Sequence, residues 1–321
     1  NLYPISYFQH FSDVNSDTID HNFVFPKNII KINQLISKKY FYNWYDFNLI
    51  NSSFKLISEI IIKENLRKIT NGSILIRLSK NTFIQNDFEI DSDGFYDTDF
   101  SGKLSESTGK WTAHLNHSSL THFGDWGHLF LGKTNLYFNN NSLLINSYHP
   151  PKNLLWWHLE QNNLEIDGSI IFLDSLNSKN RLIVFKRYGY KSSFLRFGFT
   201  ELAILSYLNL NSDHISYLLP SSVLFEAEIN EKPNANLLWL FDLKYKLNKY
   251  TLYFEFLIDD YAIDNKSPDK LGILFQLSLA TDFLNYTLSY TRINRWVGNY
   301  FYPELRMIEN NVLIGNQLGP D

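Results

Sequence analysis

The chain contains no cysteine and a single methionine in 321 residues. Without cysteine there is no disulfide framework and no Cys-ligated zinc site, although the compartment stays open. Charge is sparse. Lys and Arg total 29 against 33 Asp and Glu, 19% of the chain, for a net charge of −4. A balance this close to neutral excludes a general nucleic-acid binder, which needs a basic face. Long hydrophobic runs are missing too. The longest, such as Leu237–Phe241, are about five residues, whereas a spanning helix needs about 20. The first residues show no basic stretch leading into an apolar one, and a leader removed before Asn1 stays compatible with that. What is abundant is aromatic: 26 Phe, 20 Tyr and 7 Trp in a chain that is 44% hydrophobic. Such a chain buries enough apolar surface to exclude disorder.

The dominant period is two. Leu237, Trp239, Phe241, Leu243 and Tyr245 alternate with Leu238, Leu240, Asp242, Lys244 and Lys246. After a break at Leu247-Asn248-Lys249, Tyr250, Leu252, Phe254, Phe256 and Ile258 alternate with Thr251, Tyr253, Glu255, Leu257 and Asp259. Successive strand side chains point to opposite faces, so each segment has one wholly apolar face and the pair predicts a hairpin. The pattern recurs around Leu271–Leu279, Leu284–Tyr290, Leu195–Phe199, Trp111–Leu115 and Ile74–Leu78. Weaker strand candidates lie at 55–63, 128–138, 142–148, 166–173, 181–187 and 223–229. The tally is about a dozen strands of roughly 8–11 residues, longer than the soluble mode of ~5–6 and close to the ~9–11 of a membrane-spanning strand.

Two architectures produce this pattern. A soluble sandwich or barrel turns its apolar face inward, and an outer-membrane barrel turns it outward to lipid. Strand length favours the membrane. Small polar residues such as Asn285, Thr287 and Ser289 suit a wet lumen, and Tyr245, Tyr250 and Tyr290 suit interfacial girdles. On this reading Trp239, Phe241, Phe254, Phe256 and Leu288 face lipid, while Arg77, Arg196, Glu255, Asp259, Thr287 and Ser289 face inward. Glu201 and Arg292 sit on lipid-side parity, with a bulge at Gly198 as one device that could turn Glu201 inward.

Residues 1–50 differ. Ile29, Ile30, Ile32, Leu35 and Ile36 fall at helical spacing and predict one short periplasmic helix over Lys27–Lys39. There is no internal repeat and no linker rich in Gly, Pro or Ser. The expected organisation is an N-terminal segment, 1–50, and a β-barrel, 51–321. The last residues, Gly315–Asp321, are turn chemistry. An unpaired edge is not tolerated in lipid, so the barrel reading expects closing strands beyond Asp321.

No catalytic motif appears: no G-x-S-x-G, P-loop, H-E-x-x-H or G-x-G-x-x-G. Asp91, Asp93, Asp97 and Asp99 form an acidic run around Gly94 that offers hard-cation ligands, but it lacks the bidentate Glu of an EF-hand, and a solvated turn is the plainer account. His114, His117, His122 and His128 cluster, but simple alternation puts His114 and His117 on opposite faces. Glu255 and Asp259 share a face about 13 Å apart at ~3.3 Å per residue, too far for a glycosidase pair. Asp259, Asp260 and Tyr261 gather where one strand leaves its apolar band, and Arg292, Arg295 and Trp296 where another does. Carboxylates accept from sugar hydroxyls, Arg pairs with acidic sugars and Trp stacks, so Glu255 and these six residues are the glycan-binding candidates.

Several segments in order carry a family resemblance: Arg181–Arg187 (RLIVFKR), Leu195–Glu201 (LRFGFTE), Tyr217–Pro220 (YLLP), Leu252–Asp260 (LYFEFLIDD), Tyr290-Thr291-Arg292 and Leu318–Asp321 (LGPD). Together they resemble the Wzi-like capsule-assembly family of outer-membrane proteins, from about Leu129 to Asp321. The resemblance implies a large antiparallel barrel of roughly 14–18 strands when complete, with a helical element near the N-terminus. It implies a monomer in the outer membrane, with lipid and capsular polysaccharide as partners, that holds exported glycan in a lectin-like way. It implies neither catalysis nor a cofactor. The rival expectations are a passive pore and a soluble glycan-active enzyme.

Overall fold

A computed structural model describes residues 25–26, 51–62, 66–91, 112–134, 136–137, 142–144, 152–210, 212–220, 222–231, 235–260, 270–280, 285–294, 297–298, 300–309 and 312–313. A two-residue strand, β1 (Phe25–Pro26), precedes the long strands β2 (Asn51–Ile62), β3 (Leu66–Ser79), β4 (Thr82–Asp91), β5 (Thr112–Gly124) and β6 (Gly127–Thr134). The short β7 (Leu136–Tyr137) is followed by β8 (Lys152–Gln161), β9 (Leu164–Phe172), β10 (Asn180–Lys191) and β11 (Leu195–Tyr207). Two helices, α1 (Ser212–Leu218) and α2 (Leu224–Glu231), interrupt the run. Then come β12 (Ala235–Leu247), β13 (Tyr250–Asp260), β14 (Lys270–Ala280) and β15 (Asn285–Ile293), a 3-10 turn at Pro303–Leu305, and the small hairpin β16 (Ile308–Glu309) and β17 (Val312–Leu313).

Thirteen of these strands form one antiparallel sheet in which nearly every strand pairs with its sequence neighbours, from β2 at one edge to β15 at the other. Only β7 steps out, to pair with β1. The all-β expectation therefore holds in these residues. Connections are unequal. The connections at 80–81, 125–126, 162–163, 192–194, 248–249 and 281–284 lie at one end of the sheet, and those at 63–65, 92–111, 135–151, 173–179, 208–234 and 261–269 at the other, all but the first of them longer. We call these the short-turn and long-loop ends. At two of the tight turns Asn162 and Asn248 take the left-handed backbone that asparagine tolerates (φ 57° and 51°).

The alternation seen in sequence is realised as two faces. On β12 Leu240 is 1% exposed and its neighbour Phe241 43%. We call the Leu240 side inner and the Phe241 side outer. Glu255, Asp259, Arg196 and Arg77 are all buried on the inner side, while Leu288 on the outer side is 69% exposed. Phe254, Phe256 and Trp239 are half-buried there. Thr287 and Ser289 hydrogen-bond Ser278 and Gln276 across β14–β15.

The inner face is not uniformly polar. Phe130, Leu154, Trp156, Ile171, Ile183, Phe185, Leu202, Ile204, Leu238, Leu257 and Leu274 form one buried cluster, joined by Leu143, Leu144, Val297 and Met307 from outside the sheet. Two chain segments thus pack onto the inner face. Each fully buried Leu, Ile or Phe there contributes roughly 1.5–3 kcal/mol. A second cluster lies on the outer face, where Tyr217, Leu224 and Ala227 of the helices cover Leu182, Val184, Ala203, Leu205 and Ala235.

Several local expectations are corrected. The strand expected at 223–229 is not formed, because Leu224–Glu231 is a helix. The apolar residues there fit either period, but Leu224 and Ala227 are buried together one helical turn apart, and Leu, Glu and Ala are good helix formers. Ser142, Leu143 and Leu144 form no strand and are buried. Gly198 sits in unbroken register with Gly189 on one side and Asp242 on the other, so there is no bulge. A bulge does occur between Asp87 and Phe88 on β4, which pair with His117 and Leu115 of β5. It reverses parity, so His117 is buried although Leu115, two residues away, is exposed. The spacing argument that separated His114 from His117 fails across it. The helix expected at Lys27–Lys39 lies outside the described residues.

Candidate functional site

At the long-loop end a segment following β15 folds back across the inner face. Arg181, at the start of β10 and 1% exposed, staples it. Its Nε donates to the Glu304 carbonyl at 2.8 Å, and its Nη2 donates to the carbonyls of Arg306 (2.7 Å) and Ile308 (2.8 Å). Its Nη1 pairs with Asp174 at 2.9 Å. One guanidinium thus satisfies three backbone acceptors that a strand ladder would otherwise have to pair. Asn236 adds a bond to the Leu305 carbonyl at 3.2 Å. Lys179 donates to Glu304, which holds that carboxyl below its ordinary range.

This arrangement leaves an aromatic cluster at the long-loop end. Phe301 is 84% exposed and Tyr302 48%. Phe301 and Tyr302 meet edge to face at 5.1 Å, and Tyr300 lies 6.4 Å from Tyr302. The Lys270 ammonium sits over the Tyr300 ring at 5.6 Å and is 4.0 Å from Asp259 Oδ2. The exposed ring faces of Phe301 and Tyr302 can stack on a sugar, whereas the Asp259 carboxylate beside them is buried and held by the Gly298 N–H. The sequence reading passed over Tyr300, Phe301 and Tyr302. Three consecutive aromatics outside any alternating run were the available signal.

The residues singled out from sequence are distributed as follows. Glu255 is fully buried and accepts from the Leu143 N–H at 2.8 Å, from Ser142 Oγ at 3.3 Å and from the Tyr253 hydroxyl. It anchors the Ser142–Leu144 segment. Asp259 accepts from the Gly298 N–H at 2.9 Å and so anchors the start of the fold-back segment. Asp260 pairs in register with Lys270. Arg292 is exposed on the outer side of the edge strand β15. Tyr261, Arg295 and Trp296 lie outside the described residues, as do Asp93, Asp97 and Asp99. Asp91 is buried at the end of β4. Among the described residues no three His, Asp or Glu converge on a metal position.

Nearer the short-turn end, the inner face carries a buried charge network. Arg187, 1% exposed, donates to both Asp242 oxygens at 3.0 and 2.9 Å, and to Glu165 at 2.7 Å. Arg196 donates to the same Glu165 oxygen at 2.7 Å, and the His158 Nδ1 donates to Asp167 at 2.7 Å. Gly189 and Gly198 make room for it: a Cβ on either would lie 2.3 or 2.2 Å from the Arg187 guanidinium. On the outer face, Lys186 and Glu201 are cross-strand neighbours and both are buried under the helices. Glu201 accepts from the N–H groups of Leu224 (2.9 Å) and Phe225 (3.2 Å), capping α2, and Lys186 donates to Ser222. The carboxylate that looked misplaced on the lipid side is thus occupied by a helix start.

Among the described residues no helix is long and apolar enough to cross a membrane, which says nothing about strands. No family model and no curated protein matches the chain. A solved structure of the porin OmpF from Salmonella typhi, in complex with daunomycin, is similar at 6% identity with a TM-score of 0.36, over 76% of this chain and 88% of that one.

Proposed function

We propose that this chain forms the wall of an outer-membrane β-barrel whose long-loop end holds exported surface polysaccharide without turning it over. The observation that carries the barrel part is the two-faced sheet. Thirteen antiparallel strands of up to 14 residues expose apolar side chains on the outer face, with short connections at one end and, apart from 63–65, longer ones at the other. Outer-membrane barrels place short turns in the periplasm and long loops outside the cell. That orientation puts Phe301 and Tyr302 at the outer mouth, where an exported glycan lies. The glycan part rests on the resemblance to the Wzi-like family and on that aromatic mouth. A passive pore is the alternative. The dry inner cluster around Phe185, Leu240 and Leu144 weighs against it.

The test is retention of surface polysaccharide by cells carrying Phe301→Ala with Tyr302→Ala, and separately Asp260→Ala, Arg292→Ala or Trp296→Ala. The variants must first be found in the outer-membrane fraction in normal amount. Loss of retention in the aromatic double variant is expected. Unchanged retention in all of them rejects the glycan role. Steady unitary current in planar bilayers supports the pore, and hydrolysis of purified glycan rejects the non-catalytic reading.

A further inference from the structure

We infer that the α1–α2 insert is a membrane-resting collar: one side is packed on the sheet, and the other lies in the lipid at the long-loop end. This rests on the outer-membrane reading above. The packed side is Tyr217, Leu224 and Ala227, all fully buried. Around these buried residues the insert exposes Leu208, Leu210, Ile215, Leu219, Val223 and Phe225 by 42–66% each. Six large apolar side chains exposed within one short insert exceed the scattered apolar exposure of an ordinary surface.

Continuity with the outer band identifies the occupant. Phe225 meets Trp239 of β12 edge to face at 5.1 Å. Trp239 in turn lies 6.5 Å from Phe199, and Phe199 5.0 Å from the exposed Phe241. The apolar surface of the insert therefore runs without a polar break into the band of Phe241, Ile273 and Leu277. Whatever covers that band reaches the insert. The charge pattern points the same way. From Leu208 to Phe225 the chain has no Lys or Arg and only Asp213 as an acid, while the rest of α2 adds Glu226, Glu228 and Glu231, with Lys232 after it, so the insert carries one cation against four carboxylates. Attraction to anionic headgroups is therefore not the driving term, and apolar contact is. The same arrangement explains the buried Lys186–Glu201 pair. Bare strand parity would leave both charges toward hydrocarbon, which is costly. The insert covers them, gives Glu201 two backbone donors and gives Lys186 the Ser222 oxygens.

The absence of cysteine makes the test direct. Single variants Ile215→Cys, Leu210→Cys, Leu288→Cys and Lys249→Cys of the full chain are spin-labelled and reconstituted in phosphatidylcholine vesicles. Collision with oxygen is then compared with collision with a water-soluble nickel chelate. Heat-dependent gel mobility checks that each variant is folded. The expected result is oxygen-dominated collision at Ile215 and Leu210, as at Leu288, and nickel-dominated collision at Lys249 in its tight turn. Nickel-dominated collision at Ile215 and Leu210 with oxygen-dominated Leu288 overturns the collar and leaves the barrel standing. Nickel-dominated collision at Leu288 overturns both.

Discussion

At the scale of single residues, two inner-face glycines with ordinary strand geometry give the Arg187 side chain its room. Gly189 and Gly198 face each other across β10 and β11, and the Arg187 guanidinium lies across both to reach Asp242. Gly198→Ala should push the guanidinium off its two-pronged contact and leave Asp242 buried without its partner. The expected cost is about 3–5 kcal/mol, the usual penalty for breaking a buried ion pair. A lowered denaturant midpoint of the detergent-folded protein would report it. An unchanged midpoint would mean that the guanidinium has another place to go. Glu255 shows what alternation can and cannot reveal. Its face was legible from Tyr253, Glu255 and Leu257, but its donor Leu143 lies 112 residues earlier in the chain. A local period carries no information about such a partner.

At the scale of elements, capping and exposure each give a measurable consequence. Glu201 holds the start of α2 through two backbone N–H groups. Glu201→Ala should loosen the insert by about 0.5–2 kcal/mol, the range for losing a helix cap. Limited proteolysis should then cut within 208–234 while the sheet stays intact, and equal resistance to wild type would count against the cap. On β13, Phe254 belongs to the outer band and Tyr253 to the inner core. Phe254→Arg should cost roughly 2–4 kcal/mol if its ring meets the bilayer midplane. An effect near zero in folded vesicle preparations would place that position in water.

At the scale of the whole molecule, the fold-back segment ties strands β10, β12 and β13 together across the inner face. Its Glu304 accepts from Lys179, which lowers the folded-state pKa below the ordinary 4.5. A lowered carboxylate pKa contributes stability that is fully present above the unfolded value and is lost as pH falls through the folded one. Acid below about pH 4.5 should therefore weaken the hold on this segment, read as faster amide exchange at Leu305 and Met307. Arg181 keeps its charge there, so the segment should stay attached. Lys179→Met should weaken the pH dependence, with the Glu304 backbone and Asn177 bonds keeping part of it, and an unchanged acid response in that variant would assign it to another group.

The period of two in the sequence determined most of the long strands, the β12–β13 hairpin and, away from the β4–β5 bulge, the face that their side chains take, because the pleat imposes those facts locally. It separated Phe254 from Glu255 and Leu240 from Phe241 without any knowledge of neighbours. Tertiary structure decided the rest. Residues 223–229 alternate well enough for a strand, yet Leu224–Glu231 is a helix because Glu201 and the outer face of β10–β12 offer a cap and an apolar seat. Gly198 read as a bulge, but it is the clearance that a long Arg187 side chain needs to reach the next strand. The inner face read as wet, and part of it is dry because Leu143, Leu144, Val297 and Met307 arrive from distant segments to fill it. Each of these outcomes depends on contacts between residues far apart in the chain, which a local pattern cannot encode.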